Sequence, residues 1–403
     1  MTTFRPRVAY FPDSFHEVNG VAHTSRNFVA YAARHGLPFL CVRAGGCAQV
    51  LEQTGELTTL EHPRSAASIQ LEKDLYFDPL YLRHGKSIAH ELARFWPDII
   101  HITGPSELGM MGAWFAWKLG IPLVASWHTN VHEYLARRSA KLMGGLSAAH
   151  AAAAEHWIDR NTLRATARFY KLARLTFAPN EELCELLANA TGKPCHLMQR
   201  GVDTVLFSPK HRTRPPLRSE GNDGRFVLGY VGRLSVEKNV ALLAHMQQSL
   251  LAAGITNCRF LVIGQGGEEA WLREHLPAAE FTGVLRGADL SRAYANMDLL
   301  VFPSHTDTFG NVVLEALASG VPAIVTPSGG PKYIVRERET GFVRSDDGFP
   351  SAVAQVLRHE ELHAHMRSAA REYALSCSWD AVFDRVYAAY ATVDAHAIVR
   401  PDQ

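Results

Sequence analysis

The feature that most constrains the fold is an alternation of short apolar runs with longer amphipathic stretches, which occurs twice along the chain. Such runs, rich in branched and aromatic side chains, are typical of parallel strands buried on both faces. The first series is Arg7–Phe11, Pro38–Val42, Asp98–Ile102, Pro122–Ser126 and Leu175–Ala178. The second series is Phe226–Val231, Arg259–Ile263, Asp298–Pro303 and Pro322–Thr326. The stretches between them have helical spacing, as in Thr24–His35, which Gly36 is expected to end.

The two series predict two domains. A chain of 403 residues is too long for one ordinary core. Residues 207–225 are rich in proline, glycine and charge and lack an apolar period, so they predict a linker. We therefore expect an α/β protein with two doubly wound, Rossmann-like domains, 1–206 and 226–376, facing a deep cleft between them.

Composition and charge narrow the class of protein. Hydrophobic residues make up 47% and charged residues 20%, as in a soluble globular enzyme. The net charge of +1 gives no argument for a nucleic-acid partner. The six cysteines lack the close spacing of a metal site and predict reduced thiols in a cytoplasmic protein. The N-terminus has no long apolar stretch, so neither a signal peptide nor a membrane anchor is expected.

The segment His305–Gly320 (HTDTFGNVVLEALASG) carries the strongest chemical signal. It follows a predicted strand and predicts a loop with Asp307, then a helix that begins near Phe309 and contains Glu315. The first N–H groups of a helix are unpaired and attract phosphate, and Gly310 lets a ligand approach the backbone. Two carboxylates beside a phosphate-binding terminus suit a nucleotide sugar, whose hydroxyl groups need acceptors.

This segment resembles the carboxylate-x7-carboxylate signature of retaining glycosyltransferase family 4, as do GYVGRLSVEKN at Gly229–Asn239 and HEVNG at His16–Gly20. The resemblance covers most of the chain and implies the GT-B fold. It also implies that the C-terminal segment, 377–403, forms a helix that packs back on the first domain. In that family the first acid is usually Glu, so Asp307 is one methylene shorter, which leaves the identity of the donor sugar open.

The resemblance assigns Arg233 and Lys238 to the diphosphate of the donor. Two fixed cations there would stabilise the charge that the leaving nucleotide gains. From spacing alone, two surface cations beside a turn would look the same. Likewise, Asp307 and Glu315 match the acids that hold the sugar and the ribose, although an acid near a helix start needs no ligand.

Further candidates come from the same resemblance. His128, after the strand Pro122–Ser126, matches a histidine near the anomeric carbon, at the edge where parallel sheets place ligands. We therefore predict a catalytic set and a donor-binding set. The catalytic residues are His128, Arg233, Lys238 and Asp307. The donor-binding residues are Gly20, Arg233, Lys238, Val284, Asp307, Phe309, Gly310, Asn311 and Glu315.

No Asp-x-Asp occurs in the sequence, so no metal site and no cofactor are expected. The predicted reaction is retaining transfer of a hexose from a UDP- or GDP-sugar to a hydroxyl acceptor, a lipid or a saccharide. The alternatives are a sugar-nucleotide epimerase or a glycan phosphorylase on the same fold, and a catalytically silent nucleotide-sugar-binding protein. A phosphorylase would need lysine-bound pyridoxal, and a silent protein would be expected to lack Arg233, Lys238 or Glu315.

A basic stripe raises the question of a membrane. Arg160, Arg164, Arg168 and Lys171 would share one helical face. That face could rest on anionic lipid at the inner side of a membrane. The alternative is a solvated helix face with ordinary ion pairs.

Overall fold

The computed structural model describes residues 5–17, 20–46, 48–72, 75–127, 166–214, 224–307 and 309–393. The chain divides into two compact units. Unit 1 comprises Met1–Gln199 together with Val382–Gln403, and unit 2 comprises Arg200–Ala381. Among the described residues, none of the helices combines the length and apolar character needed to span a bilayer.

Unit 1 is built on a mainly parallel sheet. Its strands are β1 (Val8–Phe11), β2 (Phe39–Gly45), β3 (Val50–Thr54), β4 (Leu57–Pro63), β7 (Ile99–Ile102), β8 (Leu123–Ser126), β9 (Leu175–Ala178) and β10 (Cys195–Leu197). They lie in the order β10-β9-β8-β7-β1-β2-β4-β3, and only β3 runs antiparallel to its neighbour among these described strands. A separate antiparallel pair is β5 (Ile69–Glu72) with β6 (Leu75–Phe77).

The helices of unit 1 connect these strands. Those among the described residues are α1 (Gly20–Arg34), α2 (Gly85–Phe95), α3 (Glu107–Leu119) and α4 (Glu181–Thr191). Ser106 caps α3 by accepting a hydrogen bond from the N–H of Gly109, and Gly120 ends that helix in the left-handed region. The central strands β1, β7 and β8 are buried along their whole length, as the apolar runs predicted.

Unit 2 repeats the plan with a fully parallel sheet. Its described strands are β11 (Phe226–Val231), β12 (Cys258–Ile263), β13 (Glu280–Gly283), β14 (Leu299–Phe302), β15 (Ala323–Val325) and β16 (Gly341–Val343), in the order β13-β12-β11-β14-β15-β16. Its described helices include α5 (Ala241–Ala252), α6 (Glu269–His275), α7 (Gly287–Ala295), α8 (Asn311–Ala318), α9 (Phe349–Arg358) and α10 (Glu360–Ser376). The prediction of two doubly wound α/β domains is confirmed.

The last described helix, α11 (Trp379–Tyr390), crosses the boundary between the units. Its Phe383 ring stacks on Phe28 of α1 at 4.5 Å between centroids. Tyr31, also in α1, donates a hydrogen bond to Asp384. The aromatic contact buries two large rings, so Val382–Gln403 groups with unit 1 although it lies at the far end of the sequence.

The segment predicted as a linker, 207–225, is not an exposed connection in its first half. Phe207 is buried in the core of unit 2, and Arg212 and Arg214 both form ion pairs with the buried Asp298, at 2.8 and 2.9 Å. Asp298 needs these partners because an isolated buried carboxylate would be costly. The unit boundary therefore falls at residues 199 and 200, before the proline-rich stretch.

Candidate active site

The site in unit 2 lies at the point where the strand order reverses. β11 is flanked by β12 on one side and β14 on the other, so the loops that follow β11 and β14 diverge to opposite faces of the sheet. Open parallel sheets bind ligands at such a switch point, outside the carboxyl ends of the strands. The two loops contain Lys238 and Asp307 respectively.

Lys238 and Asp307 are brought into direct contact. The Lys238 Nζ lies 2.5 Å from Asp307 Oδ2, and both side chains are partly exposed, at 19% and 26%. The backbone of Asp307 is held in turn, because its carbonyl accepts a hydrogen bond of 2.7 Å from the N–H of Gly330. A cation and an acid are therefore fixed together at the mouth of the switch point.

The loop that carries Arg233 and Lys238 is braced by the loop after β12. Gly264 has a φ of +137°, and a Cβ there would lie 1.8 Å from the carbonyl oxygen of Gly232. A Cβ on Gly266 would similarly meet the Leu234 carbonyl oxygen at 2.1 Å. These glycines are required because the two backbones approach too closely for any side chain.

Arg233 is the more exposed of the two predicted cations. Its side chain is 71% exposed, and its guanidinium lies 3.5 Å from Glu237, a loose surface ion pair. Its backbone is fixed, because its carbonyl accepts a hydrogen bond of 2.9 Å from the buried Tyr230 hydroxyl. The structure thus positions the Arg233 backbone but leaves its charge exposed to solvent.

Helix α8 starts beside the Lys238–Asp307 pair. Gly310 precedes it with a φ of +92°, and a Cβ there would lie 2.8 Å from Pro331 Cγ. Gly310 contributes no capping side chain, and the first turn contains no acid. The N–H groups of this turn, including that of the exposed Asn311, are therefore suited to an anionic ligand.

Glu315 lies in the second turn of α8. Its Oε2 accepts a hydrogen bond of 2.9 Å from the hydroxyl of Tyr294, which is fully buried in α7. Burial raises the pKa of the Glu315 carboxyl to about 7, against the opposing effect of this hydrogen bond. A carboxylate so short of donors would gain from the hydroxyl groups of a ligand.

Comparison with known proteins identifies the family. Residues 18–206 match the family described as Glycosyltransferase Family 4, and residues 225–359 match Glycosyl transferases group 1. A GDP-mannose-dependent alpha-mannosyltransferase from Mycolicibacterium smegmatis is 36% identical, over 75% of both chains. The chain belongs to glycosyltransferase family 4.

Three further comparisons extend over nearly the whole molecule. Another GDP-mannose-dependent alpha-mannosyltransferase, from Corynebacterium glutamicum, is 30% identical over 98% of this chain and 91% of its own. In structure, a sucrose-phosphate synthase from Thermosynechococcus elongatus matches 97% of this chain and 100% of its own, with a TM-score of 0.65 and 18% identity. Anabaena HepE, solved with UDP and glucose, matches 96% and 100%, with a TM-score of 0.60 and 16% identity.

These matches confirm the GT-B fold and the enzyme class, so the protein is a family 4 glycosyltransferase. The remaining predicted residues of unit 2 lie near the ends of its strands. Val284 follows β13 and is 50% exposed. Phe309, next to Gly310, is 8% exposed and lies under the guanidinium of Arg200, which is 5.4 Å from its ring centroid.

Arg200 is a residue that sequence reasoning missed in this family 4 enzyme. Burial lowers the pKa of its guanidinium, and the Asp307 carboxylate opposes this effect. A third cation is therefore close to the start of α8. In the sequence it is simply a cation before Gly201. In the structure a Cβ on Gly201 would lie 2.5 Å from the Trp379 ring, so the chain needs glycine there. Nothing in that spacing indicated proximity to Phe309, a contact made through tertiary structure.

The family 4 enzyme has a second group of polar residues at the corresponding point of unit 1, where β1 is flanked by β2 and β7. The N–H of Asp13 donates to Thr103 Oγ1 at 2.7 Å, and the Ser106 hydroxyl donates to the Asp13 carboxylate. Burial raises the pKa of Asp13 to about 7. The predicted Gly20 opens α1, a helix with no acid in its first turn.

Some predicted residues of this glycosyltransferase lie outside the described residues. These are His128 and, from the basic stripe, Arg160 and Arg164, whereas Arg168 and Lys171 are described and exposed. Within the described ranges, no group of three or more His, Cys, Asp or Glu side chains could hold a metal ion. The absence of a metal and of a cofactor stays a prediction from the sequence.

Proposed function

We propose that the protein transfers a hexose from a nucleoside-diphosphate sugar to a hydroxyl group, with retention at the anomeric carbon and without a metal. The observation that carries this proposal is the Lys238–Asp307 contact beside the uncapped start of α8. At this switch point Asp307 can accept hydrogen bonds from hydroxyl groups, while Lys238 and the start of α8 can bind a diphosphate. A nucleoside-diphosphate sugar has both kinds of group.

The leaving diphosphate gains negative charge as the sugar–phosphate bond breaks. Lys238 and Arg233 are the cations proposed to stabilise it, together with the N–H groups at Gly310 and Asn311. When the diphosphate binds, Lys238 can turn from Asp307 towards it, which leaves Asp307 to accept hydrogen bonds from the sugar. Glu315 would accept hydrogen bonds from the ribose, since its carboxylate is desolvated and has one hydroxyl partner, Tyr294.

No enzymic nucleophile is included in this proposal. The acceptor hydroxyl would attack from the face that the diphosphate leaves, and a phosphate oxygen of the donor would take its proton. That course gives retention, as the family resemblance implies. His128 is proposed to contact the sugar near the anomeric carbon on the basis of its sequence position alone.

GDP-mannose is the proposed donor. The support comes from relatives named as GDP-mannose-dependent alpha-mannosyltransferases, at 36% and 30% identity. UDP-glucose is the competing donor, because HepE, which shares the fold, was solved with UDP and glucose. The proposed acceptor is a hydroxyl group of a lipid or a saccharide.

The test is release of nucleotide from GDP-mannose and UDP-glucose by the full chain, with and without a panel of glycolipid and oligosaccharide acceptors. We expect faster release from GDP-mannose and a product whose anomeric configuration, read by NMR, equals that of the donor. An inverted product would overturn retention. Conversion of the donor to another sugar nucleotide, with no transfer to any acceptor, would support the epimerase alternative instead.

A further inference from the structure

The outer face of α3 in unit 1 is apolar and exposed. Met110, Trp114 and Trp117 follow one another at helical spacing, so they form a single stripe. Their exposed fractions are 45%, 47% and 79%. The opposite side of the helix is buried through Leu108, Met111 and Phe115.

A helix that is apolar on both sides is unusual at a protein surface. Such helices are normally enclosed in protein or placed against lipid. Single exposed apolar residues are common, but a contiguous patch with two tryptophans indicates an interaction surface. We call Met110, Trp114 and Trp117, with the exposed Leu82 and Leu172 on either side, the α3 patch.

Two open cavities lie beside the α3 patch and share Met110 and Trp114 in their linings. One, of about 670 Å³, separates α3 from the turn that contains Leu82, and the other, of about 610 Å³, separates it from the segment that contains Leu172. Leu82 is 72% and Leu172 is 62% exposed. The apolar surface therefore extends across both cavities and is grooved rather than flat.

The exposed charged residues described in the linings of these cavities are basic. Lys86 and Lys118 line the first cavity and Arg174 lines the second, and all three are exposed. The Lys118 Nζ lies over the Trp114 ring, 4.7 Å from its centroid.

Both acids that line the cavities, Asp78 and Glu107, are buried. Asp78 pairs with Arg83 at 3.0 Å, and Glu107 lies 3.5 Å from Arg64. Among the lining residues that the structure describes, the exposed charges are thus all positive.

We propose that the α3 patch is a docking surface for an anionic lipid bilayer. Tryptophan side chains favour the headgroup region, where an apolar ring meets water, and lysine and arginine attract anionic headgroups. A cationic rim around an apolar, tryptophan-bearing face matches that partner in charge and polarity. This surface is distinct from the donor site in unit 2, and the inference holds whether the acceptor is a lipid or a saccharide.

The test is sedimentation of the full chain with sucrose-loaded vesicles. We compare vesicles of phosphatidylcholine alone with vesicles that also contain phosphatidylglycerol. We expect binding to the anionic vesicles that weakens as salt is added. Trp117→Ser, and separately the triple variant Lys86→Gln/Lys118→Gln/Arg174→Gln, should each lower the partition coefficient by about tenfold or more.

Matched controls come from unit 2. Val205 is 83% exposed, so Val205→Ser removes an equally exposed apolar side chain. The exposed cations Lys210, Arg292 and Arg358, changed to Gln together, give the same loss of charge elsewhere. Both controls should bind vesicles like the unaltered protein. Thermal melting of every variant checks the fold.

Three outcomes would overturn the proposal. The first is no salt-sensitive binding to the anionic vesicles. The second is a Trp117→Ser variant that folds and binds like the control. The third is a dimer, detected by analytical ultracentrifugation, that Trp117→Ser dissociates while vesicle binding is absent, because a second copy of the chain would then cover the α3 patch. Loss of sugar transfer with vesicle binding intact would count against the proposed function alone.

Discussion

The hydroxyl of Tyr294 donates a hydrogen bond of 2.9 Å to the carboxylate of Glu315, within the core of unit 2. Burial raises the pKa of Glu315 to about 7 even with this bond in place, from an ordinary value of 4.5. Ionisation of this buried carboxyl therefore lowers the free energy of unfolding. Carboxyl groups with raised pKa values of this kind are common at ligand-binding sites.

The first prediction concerns how the loss of stability caused by Glu315 depends on pH. Below about pH 4.5 Glu315 is protonated in both the folded and the unfolded chain, so it does not lower the free energy of unfolding. Between about pH 4.5 and pH 7 Glu315 ionises in the unfolded chain but stays protonated in the folded protein, so the free energy of unfolding falls. Above about pH 7 the carboxyl is ionised in both states, and this loss of stability no longer increases. Glu315→Gln should therefore raise the melting temperature of the ligand-free protein by several degrees at about pH 8 and change it little at about pH 4.

The same variant should bind nucleotide more weakly, because a glutamine accepts ribose hydrogen bonds without a charge. Thermal shift with GDP measures this effect. Glu274→Gln, an exposed acid in the same unit, is the control and should change neither quantity. A Glu315→Gln variant that is less stable at pH 8, or that binds GDP normally, would contradict the role given to Glu315.

The second prediction concerns the cations. Lys238→Ala and Arg233→Ala should each lower turnover by about two orders of magnitude or more, since each removes charge that stabilises the leaving diphosphate. Lys210→Ala removes an exposed lysine of unit 2 and should leave the rate unchanged. Steady-state rates of nucleotide release, with melting curves for the fold, check this prediction. Near-normal rates in both variants would contradict the proposal that Lys238 and Arg233 bind the diphosphate of the donor.

The alternation of apolar runs predicted much of the fold because buried parallel strands are contiguous in sequence. Leu175–Ala178 and Phe226–Val231 coincide with strands β9 and β11, residue for residue. The strands β3 and β4 were not predicted, because their residues are largely polar. His62 in β4, for example, is buried and stacks on His84 at 4.3 Å. Such burial depends on a partner distant in sequence.

In the candidate site, too, residues next to predicted strands could be predicted, whereas residues placed by distant partners could not. The family resemblance assigned Lys238 and Asp307 to one donor site, and the structure brings them together, although they lie 69 residues apart in sequence, because the ends of β11 and β14 meet at the switch point. Tyr294 and Arg200 gave no comparable signal, since neither follows a predicted strand nor belongs to a phosphate-binding pattern. Asp13 lies just after the predicted strand Arg7–Phe11, but its burial depends on the packing of α3.

The third prediction concerns Gly310. Its φ of +92° is strained for any other residue, and an added Cβ would press on Pro331. Gly310→Ala should lower the free energy of unfolding by about 1–2 kcal/mol and weaken GDP binding, because the start of α8 must shift. Gly267→Ala is the control, since a Cβ there meets nothing within 4 Å. Urea denaturation measures both variants, and equal stabilities would contradict the strain.

The fourth prediction is that transfer does not need a divalent cation. The sequence lacks Asp-x-Asp, and Lys238, Arg233 and the start of α8 would take the place of a metal at the diphosphate. The transfer rate in excess EDTA should stay within about twofold of the untreated rate. Loss of activity that Mg²⁺ or Mn²⁺ restores would show that the diphosphate is held in another way.

The last prediction concerns donor choice. Asp307 is one methylene shorter than the usual family Glu, and its carboxylate is held by Lys238 at 2.5 Å and its carbonyl by Gly330 at 2.7 Å. The backbone of Asp307 is therefore fixed, and a side chain one methylene longer would reach a different hydroxyl of the sugar once Lys238 has turned to the diphosphate. Asp307→Glu should change the ratio of rates with GDP-mannose and GDP-glucose by about tenfold, because the loss of one hydrogen bond to a sugar hydroxyl lowers the rate by about that factor.

These two donors share a nucleotide, so the ratio of their rates reports the sugar alone. The affinity for GDP should stay unchanged, and Asp307→Asn should slow both donors alike because it removes charge without changing length. A collapse of GDP affinity in Asp307→Glu, with the donor ratio fixed, would place Asp307 in the phosphate site instead.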